Sequence, residues 1–138
     1  DSEVIRDWTN NINLEKVISI VALVEDTIVA DATLHRSRVF ARKHIGEVRV
    51  VVDPEYRGKG VGRRLLRELL DISAELDLYK VYMELVPERE DAAIEVVESL
   101  GFKKTATLPG RIRDYYGSYK DVVVLEIPLS DRSTWWRQ

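Results

Sequence analysis

An α/β domain with a mixed, mostly antiparallel sheet is the fold class this sequence predicts, on three observations. Runs rich in β-branched residues recur near 17–24, 28–35 and 45–52, before any long helical pattern. The third run passes through Asp53-Pro54-Glu55-Tyr56 and three glycines into a helix whose apolar positions are Val61, Leu65, Leu66, Leu69, Leu70 and Leu76. Another apolar run, Val81 to Val86, follows that helix. A helical crossover joins parallel strands, so 45–52 and 81–86 are expected as one central parallel pair in a sheet otherwise built from antiparallel neighbours.

The elements follow in chain order. Val4, Ile5, Trp8 and Ile12 fall on one face of a short helix expected over residues 2 to 12. Strands near 17–24 and 28–35 are joined by Glu25-Asp26-Thr27 as a hairpin. After the third strand, the glycine segment, its helix and the strand at 81–86, a second helix runs from Asp91 to Leu100. It stops at Gly101, a favoured left-handed cap. Phe102 to Leu108 and Tyr119 to Ile127 complete the sheet. At 138 residues the chain reads as one domain, 1–138, with a short polar tail from 130 to 138.

Composition narrows the function. The hydrophobic fraction is 45%, but charge interrupts it everywhere, and no run of about 18 apolar residues offers a membrane span. The first residues, Asp1-Ser2-Glu3, are not a signal-type segment, so the cytoplasm is the expected location. With no cysteine there is no disulfide, thiolate metal site or cysteinyl intermediate. His35 and His44 have no metal-ligand spacing, and no metal is expected.

Arg57-Gly58-Lys59-Gly60-Val61-Gly62 carries the chemistry. At a helix start the first backbone N–H groups lack intrahelical partners and the macrodipole is positive, so main chain alone can hold a polyphosphate. Glycine removes the Cβ atoms that would obstruct it. Five basic residues (Arg57, Lys59, Arg63, Arg64, Arg67) and no acidic one lie between positions 57 and 67 of a chain whose net charge is −3. That local field suits a small, highly charged anion. A nucleic-acid footprint would extend further and raise the pI, which is about 5.5, so no nucleic-acid partner is expected. Spacing excludes two familiar loops. Nothing follows the order of a P-loop. A dinucleotide fingerprint counted from Gly58 puts its third glycine at Arg63, and counted from Gly60 at Leu65.

What remains is Arg57-x-x-Gly60-x-Gly62 after Val52-Asp53-Pro54-x-Tyr56, and this resembles the acyl-coenzyme A signature of the GNAT superfamily of N-acetyltransferases. The likeness covers about residues 2 to 128, counted from the family's second helix onward. The extra strand and helix that normally open the family do not precede Ser2, so either the chain is trimmed or the fold is abbreviated. The resemblance implies acetyl-CoA as cosubstrate. It implies that Arg57, Gly58, Lys59, Gly60, Val61, Gly62 and Arg63 wrap the pyrophosphate, and that Val50, Val51 and Val52 meet the pantetheine arm, a main-chain N–H there polarising the thioester.

An amine must lose a proton to attack, since a lysine ammonium has a reference pKa of about 10.4 and an α-amine about 8. Glu47, where many family members keep a base, is the first candidate and Glu84 the second; the competing reading of each is an exposed strand carboxylate. The tyrosine that usually protonates the departing thiolate would fall at Val97, and Glu90 stands where the family often has an asparagine. Solvent can supply that proton to a thiolate, or Tyr115, Tyr116 or Tyr119 can substitute, Tyr116 being the candidate carried forward.

Tyr115-Tyr116 followed by Asp121 looks like the paired-tyrosine hairpin of protein N-terminal acetyltransferases, which points to a protein or peptide acceptor. Glu84, Glu88, Glu90, Asp91, Glu95 and Glu98 form an acidic stretch that would attract cationic amines or serve as a solvated helix face. Trp135 and Trp136 in the tail would dock on the domain or on a second copy in a homodimer. The expected function is acetyl transfer from acetyl-CoA to a primary amine by direct attack in a ternary complex, no nucleophile for an acyl-enzyme being evident. The alternative is a non-catalytic acyl-CoA-binding or regulatory module.

Overall fold

The computed structural model describes residues 2–10 and 15–129. Among them are seven strands, β1 (Ser2–Asn10), β2 (Glu15–Val24), β3 (Thr27–Ser37), β4 (Ile45–Val52), β5 (Lys80–Leu85), β6 (Lys103–Arg113) and β7 (Tyr119–Pro128). Two α-helices, α1 (Val61–Glu75) and α2 (Pro87–Ser99), accompany them. The fold is α/β with a mostly antiparallel sheet, as the sequence predicts. The chain divides into two compact units, one up to Val81 with the residues from Pro128 on, the other from Tyr82 to Ile127.

In the first unit the strand order is β1-β2-β3-β4. The helix expected over 2–12 is instead β1, paired antiparallel with β2 from Ser2↔Val24 to Asn10↔Lys16. Val4, Ile5, Trp8 and Thr9 are good strand formers, and a complete ladder against β2 outweighs an i, i+4 coincidence. Ile12 lies outside the described residues. Four strands therefore precede α1 rather than three. Strands β2 and β3 are joined at Glu25 and Asp26, both with positive φ (50° and 66°), the two-residue geometry whose twist matches a hairpin.

Ile18, Ile20 and Ala22 on β2, Ala30, Ala32 and Leu34 on β3, and Val48 on β4 are all buried. They are cross-strand neighbours in the ladders, Ile18↔Leu34, Ile20↔Ala32, Ala22↔Ala30 and Leu34↔Val48, so they form one apolar face. Leu65, Leu66, Leu69 and Ile72 of α1 are buried too, and α1 packs on β2, β3 and β4. Cutting one of these leucines back to alanine would cost about 2–5 kcal/mol. The Tyr79 N–H donates to His44 O at 2.8 Å, so the segment entering β5 lies beside the residue before β4. A Cβ on Gly46 would come within 3.4 Å of Val81 Cγ1. The two strands thus start side by side, with α1 connecting them.

In the second unit the order is β5-β7-β6, with β6 and β7 antiparallel from Lys103↔Glu126 to Arg113↔Tyr119. Strand β6 runs five residues past the expected Leu108, because Pro109 and Gly110 mark a bulge rather than a turn. Helix α2 starts at Pro87, ahead of the expected Asp91: proline is at home in a first turn, and Glu90 Oε1 accepts the Val86 N–H at 2.8 Å. The tail from 130 on, with Trp135 and Trp136, lies outside the described residues.

Candidate active site

The glycine segment connects β4 to α1, both in the first unit. Asp53 N–H still bonds to Val29 O at 2.8 Å, and the chain then turns through Pro54–Tyr56. Asp53 Oδ1 accepts from the Glu55 N–H at 3.0 Å, and Arg57 Nε donates to Val52 O at 3.2 Å, tying the loop back to the strand end. Gly58 and Gly60 have φ of 74° and 81°, the left-handed region where side chains are strained. A Cβ on either would meet nothing within 4 Å, so backbone conformation, not crowding, requires glycine there, and the space in front of the loop is open.

Gly60 is the N-cap of α1. No side chain caps this end, and the first helical bond runs from Arg64 N–H to Gly60 O at 3.1 Å. A 15-residue helix therefore begins with main-chain donors turned toward open space. Gly62 has another task. Its Cβ would lie 3.2 Å from Val52 Cγ2 and 3.7 Å from Val50 Cγ1, so its absence lets α1 approach β4 closely. Arg57, Lys59, Arg64 and Arg67 are exposed and Arg63 is half-buried, while Lys59 Nζ stands 5.4 Å from the centre of the Tyr56 ring. An open, uncapped, glycine-lined and cationic helix start fits a pyrophosphate.

The β4 ladder sorts the three valines. Because Asp53 bonds to Val29, alternation in an antiparallel pair gives the β3 hydrogen bonds to Asp53, Val51, Arg49 and Glu47. The main-chain groups of Val50 and Val52 point to the other edge of β4, consistent with the Arg57 bond to Val52 O. Glu47 is opposite His35 in the ladder, its side chain is 19% exposed, and Oε1 accepts from Arg49 Nη2 at 3.0 Å. Sequence reading missed this role of Arg49, although a period of two already places positions 47 and 49 on one face.

The second unit holds the other candidates. Glu84 is exposed on β5, Glu90 caps Val86 as described, and Val97 is buried at 3% exposure. Tyr115 and Tyr116 are almost fully exposed at the β6–β7 tip, their rings edge to face at 5.9 Å. Asp114 Oδ1 shapes this tip by accepting from the N–H groups of Tyr116 and Ser118, each at 2.9 Å. Asp121 Oδ1 accepts from the Gly110 N–H at 3.0 Å and pins the bulge. Asp114 was also missed, though an aspartate three residues before Gly117 is a turn signal.

The model of the acetyltransferase (GNAT) family matches residues 1–102. The chain belongs to the GNAT family. Among its relatives is the Escherichia coli L-amino acid N-acyltransferase MnaT, 30% identical over 91 residues, which are 66% of this chain and 52% of that one. A ribosomal-protein alanine N-acetyltransferase of the same organism is 34% identical over 84 residues, 59% of this chain and 53% of the relative. The chain thus spans about half the length of these curated relatives. Among solved structures, a ribosomal-protein-alanine N-acetyltransferase from Brucella melitensis superposes with a TM-score of 0.75 at 27% identity, covering 82% of this chain and 69% of that one. A Salmonella typhimurium acetyltransferase solved with acetyl-CoA gives 0.76 at 25% identity, covering 83% and 66%.

For this GNAT chain, Val97 is the informative departure. A buried core valine has no proton to give at the position where the resemblance leads one to expect an acid.

Proposed function

We propose that this chain binds acetyl-CoA at the Gly58–Gly62 loop and transfers its acetyl group to a primary amine. The observation that carries this reading is the pair of left-handed glycines at the uncapped start of α1, tied to β4 through Arg57. Main-chain donors of Val61 and Gly62, with Lys59 and the Arg57 and Arg63 guanidinium groups around them, hold the pyrophosphate. Val50 and Val52, whose main-chain groups point away from β3, face the pantetheine arm and offer an N–H to the thioester oxygen.

Acetyl-CoA supplies the activated acyl carbon: a C–N bond to the amine forms and the C–S bond breaks. Glu47, oriented by Arg49, accepts the ammonium proton directly or through a water, which leaves the lone pair free to attack. Glu84 is the reserve base. The departing thiolate takes its proton from solvent or from the exposed Tyr116 hydroxyl. The relatives named for an amino acid and for a ribosomal-protein alanine share an α-amine, so an α-amine on a free amino acid or a peptide is the favoured acceptor, with Tyr115 and Tyr116 at its backbone.

Calorimetric titration of acetyl-CoA and CoA, with ATP and NAD as controls, tests the donor, and acetylation of amines and peptide N-termini follows. Micromolar binding of both CoA species with silent controls is expected; no binding overturns the reading. One observation favours the non-catalytic alternative, the burial of Val97 where an acid is expected. Binding without transfer to any amine would select it.

A further inference from the structure

The far end of α1 borders a second cationic feature. A cleft of about 550 Å³ is lined by Lys16, Arg36, Arg38, Lys43 and His44, against a single carboxylate, that of Asp77. All belong to the first unit. Lys16 is the second residue of β2 and pairs with Arg36, the last but one of β3, while Arg38 and Lys43 lie in the β3–β4 connection and Asp77 follows α1. The 15 residues of α1 put this cleft about 22 Å from the glycine loop, too far for one ligand phosphate group to reach both.

Three observations bear on what this cleft can hold. Four side chains that are cationic at neutral pH share one cavity, and among the described residues none of them is in an ion pair. Arg36 Nε is buried and has no hydrogen-bond partner among those residues. Burial also lowers the Arg36 pKa from its ordinary value, the mark of a guanidinium that gives up water without an opposing charge. The glycine-loop arginine differs, since Arg57 Nε is bonded to Val52 O. A helix end is ordinarily negative, but here the carbonyls of Ile72, Ser73 and Ala74 already accept from the N–H groups of Leu76, Leu78 and Asp77.

We propose that this cleft is a second anion site, which takes a small phosphorylated ligand carrying two or more negative charges. Arginine forks favour phosphate oxygens, and the volume falls in the range of about 300–1,000 Å³ typical of small-molecule sites. Arg36, half-buried, and the exposed Lys16, Arg38 and Lys43 give an anion both screened and partly desolvated cationic partners. The site does not depend on the proposed acetyl transfer.

The test is an NMR titration of the backbone amides with pyrophosphate and, separately, adenosine monophosphate. Saturating shifts are expected at residues 36–38, 43–44 and 76–78. Affinity should weaken about tenfold in Arg36→Gln/Lys43→Gln, as for loss of charge-assisted hydrogen bonds. Lys43→Gln alone, a change at an exposed residue, should give a smaller loss and serves if the double variant does not fold. Shifts confined to residues 57–64, shifts that never saturate, or unchanged affinity in the variants would overturn the site. A single-stranded oligonucleotide binding far more tightly than adenosine monophosphate through the same amides would also overturn it, in favour of a nucleic-acid surface.

Discussion

The β4–α1 junction and the β6–β7 tip are both candidate binding regions, and they differ in how much of their shape side chains supply. At the junction the shape comes from backbone: two left-handed glycines, an uncapped helix start and one guanidinium bonded to a main-chain carbonyl. At the tip left-handed glycines recur, Gly110 at φ 61° and Gly117 at 87°, but side chains add to the shape: Asp114 gathers two N–H groups, Asp121 a third, and two tyrosines stand in solvent. A backbone receptor suits a ligand common to many relatives. A side-chain receptor is easily re-cut, which suits the half of a reaction that differs between relatives.

The sharpest way to separate the regions is Glu47→Gln. On the proposed mechanism it lowers kcat/KM about 100-fold or more while calorimetric acetyl-CoA affinity stays unchanged. An intact rate across pH would remove Glu47 as base. Next, Gly60→Val puts a β-branched residue at φ 81° and disorganises the helix start. Acetyl-CoA affinity should fall at least about tenfold by titration, with the dispersion of the β6–β7 amides in NMR spectra unaltered.

Gly46→Ala is the control for packing alone. Its Cβ would sit 2.6 Å from Leu34 Cδ1 and 3.1 Å from Leu78 Cδ1, so about 1–3 kcal/mol of stability should be lost in urea unfolding. The smallest effect belongs to Asp114→Ala. It removes two exposed hydrogen bonds worth roughly 1 kcal/mol or less each, and should raise the KM for the amine several-fold without touching acetyl-CoA binding. If Asp114→Ala weakened the cosubstrate instead, the division of labour between the regions would be wrong.

The same contrast explains what could be read in advance. The glycine junction was legible because backbone demands restrict residue type: few residues other than glycine hold φ near 80°, and spacing then carries information. Strands β2 to β5 and helix α1 were legible from periodicity. Strand β1 was not, since Val4, Ile5 and Trp8 satisfy a helical face as well as a strand, and only the pairing with β2 decides. The roles of Arg49, Asp114 and Glu90 depend on which neighbours the fold brings near. Pro109-Gly110 reads as a turn in isolation, and becomes a bulge only because β7 holds both sides of it.

The glycine loop also bears on product release. The part of acetyl-CoA it would grip, the pyrophosphate, is unchanged by the reaction, so on the proposed function this pre-shaped cradle would hold spent and loaded carrier alike. Its grip lowers the concentration at which the carrier is captured but contributes nothing to the barrier of the chemical step. Free CoA should therefore compete with acetyl-CoA at comparable strength, and the acetylated-to-free carrier ratio, more than the total amount of carrier, would set how fast this protein works.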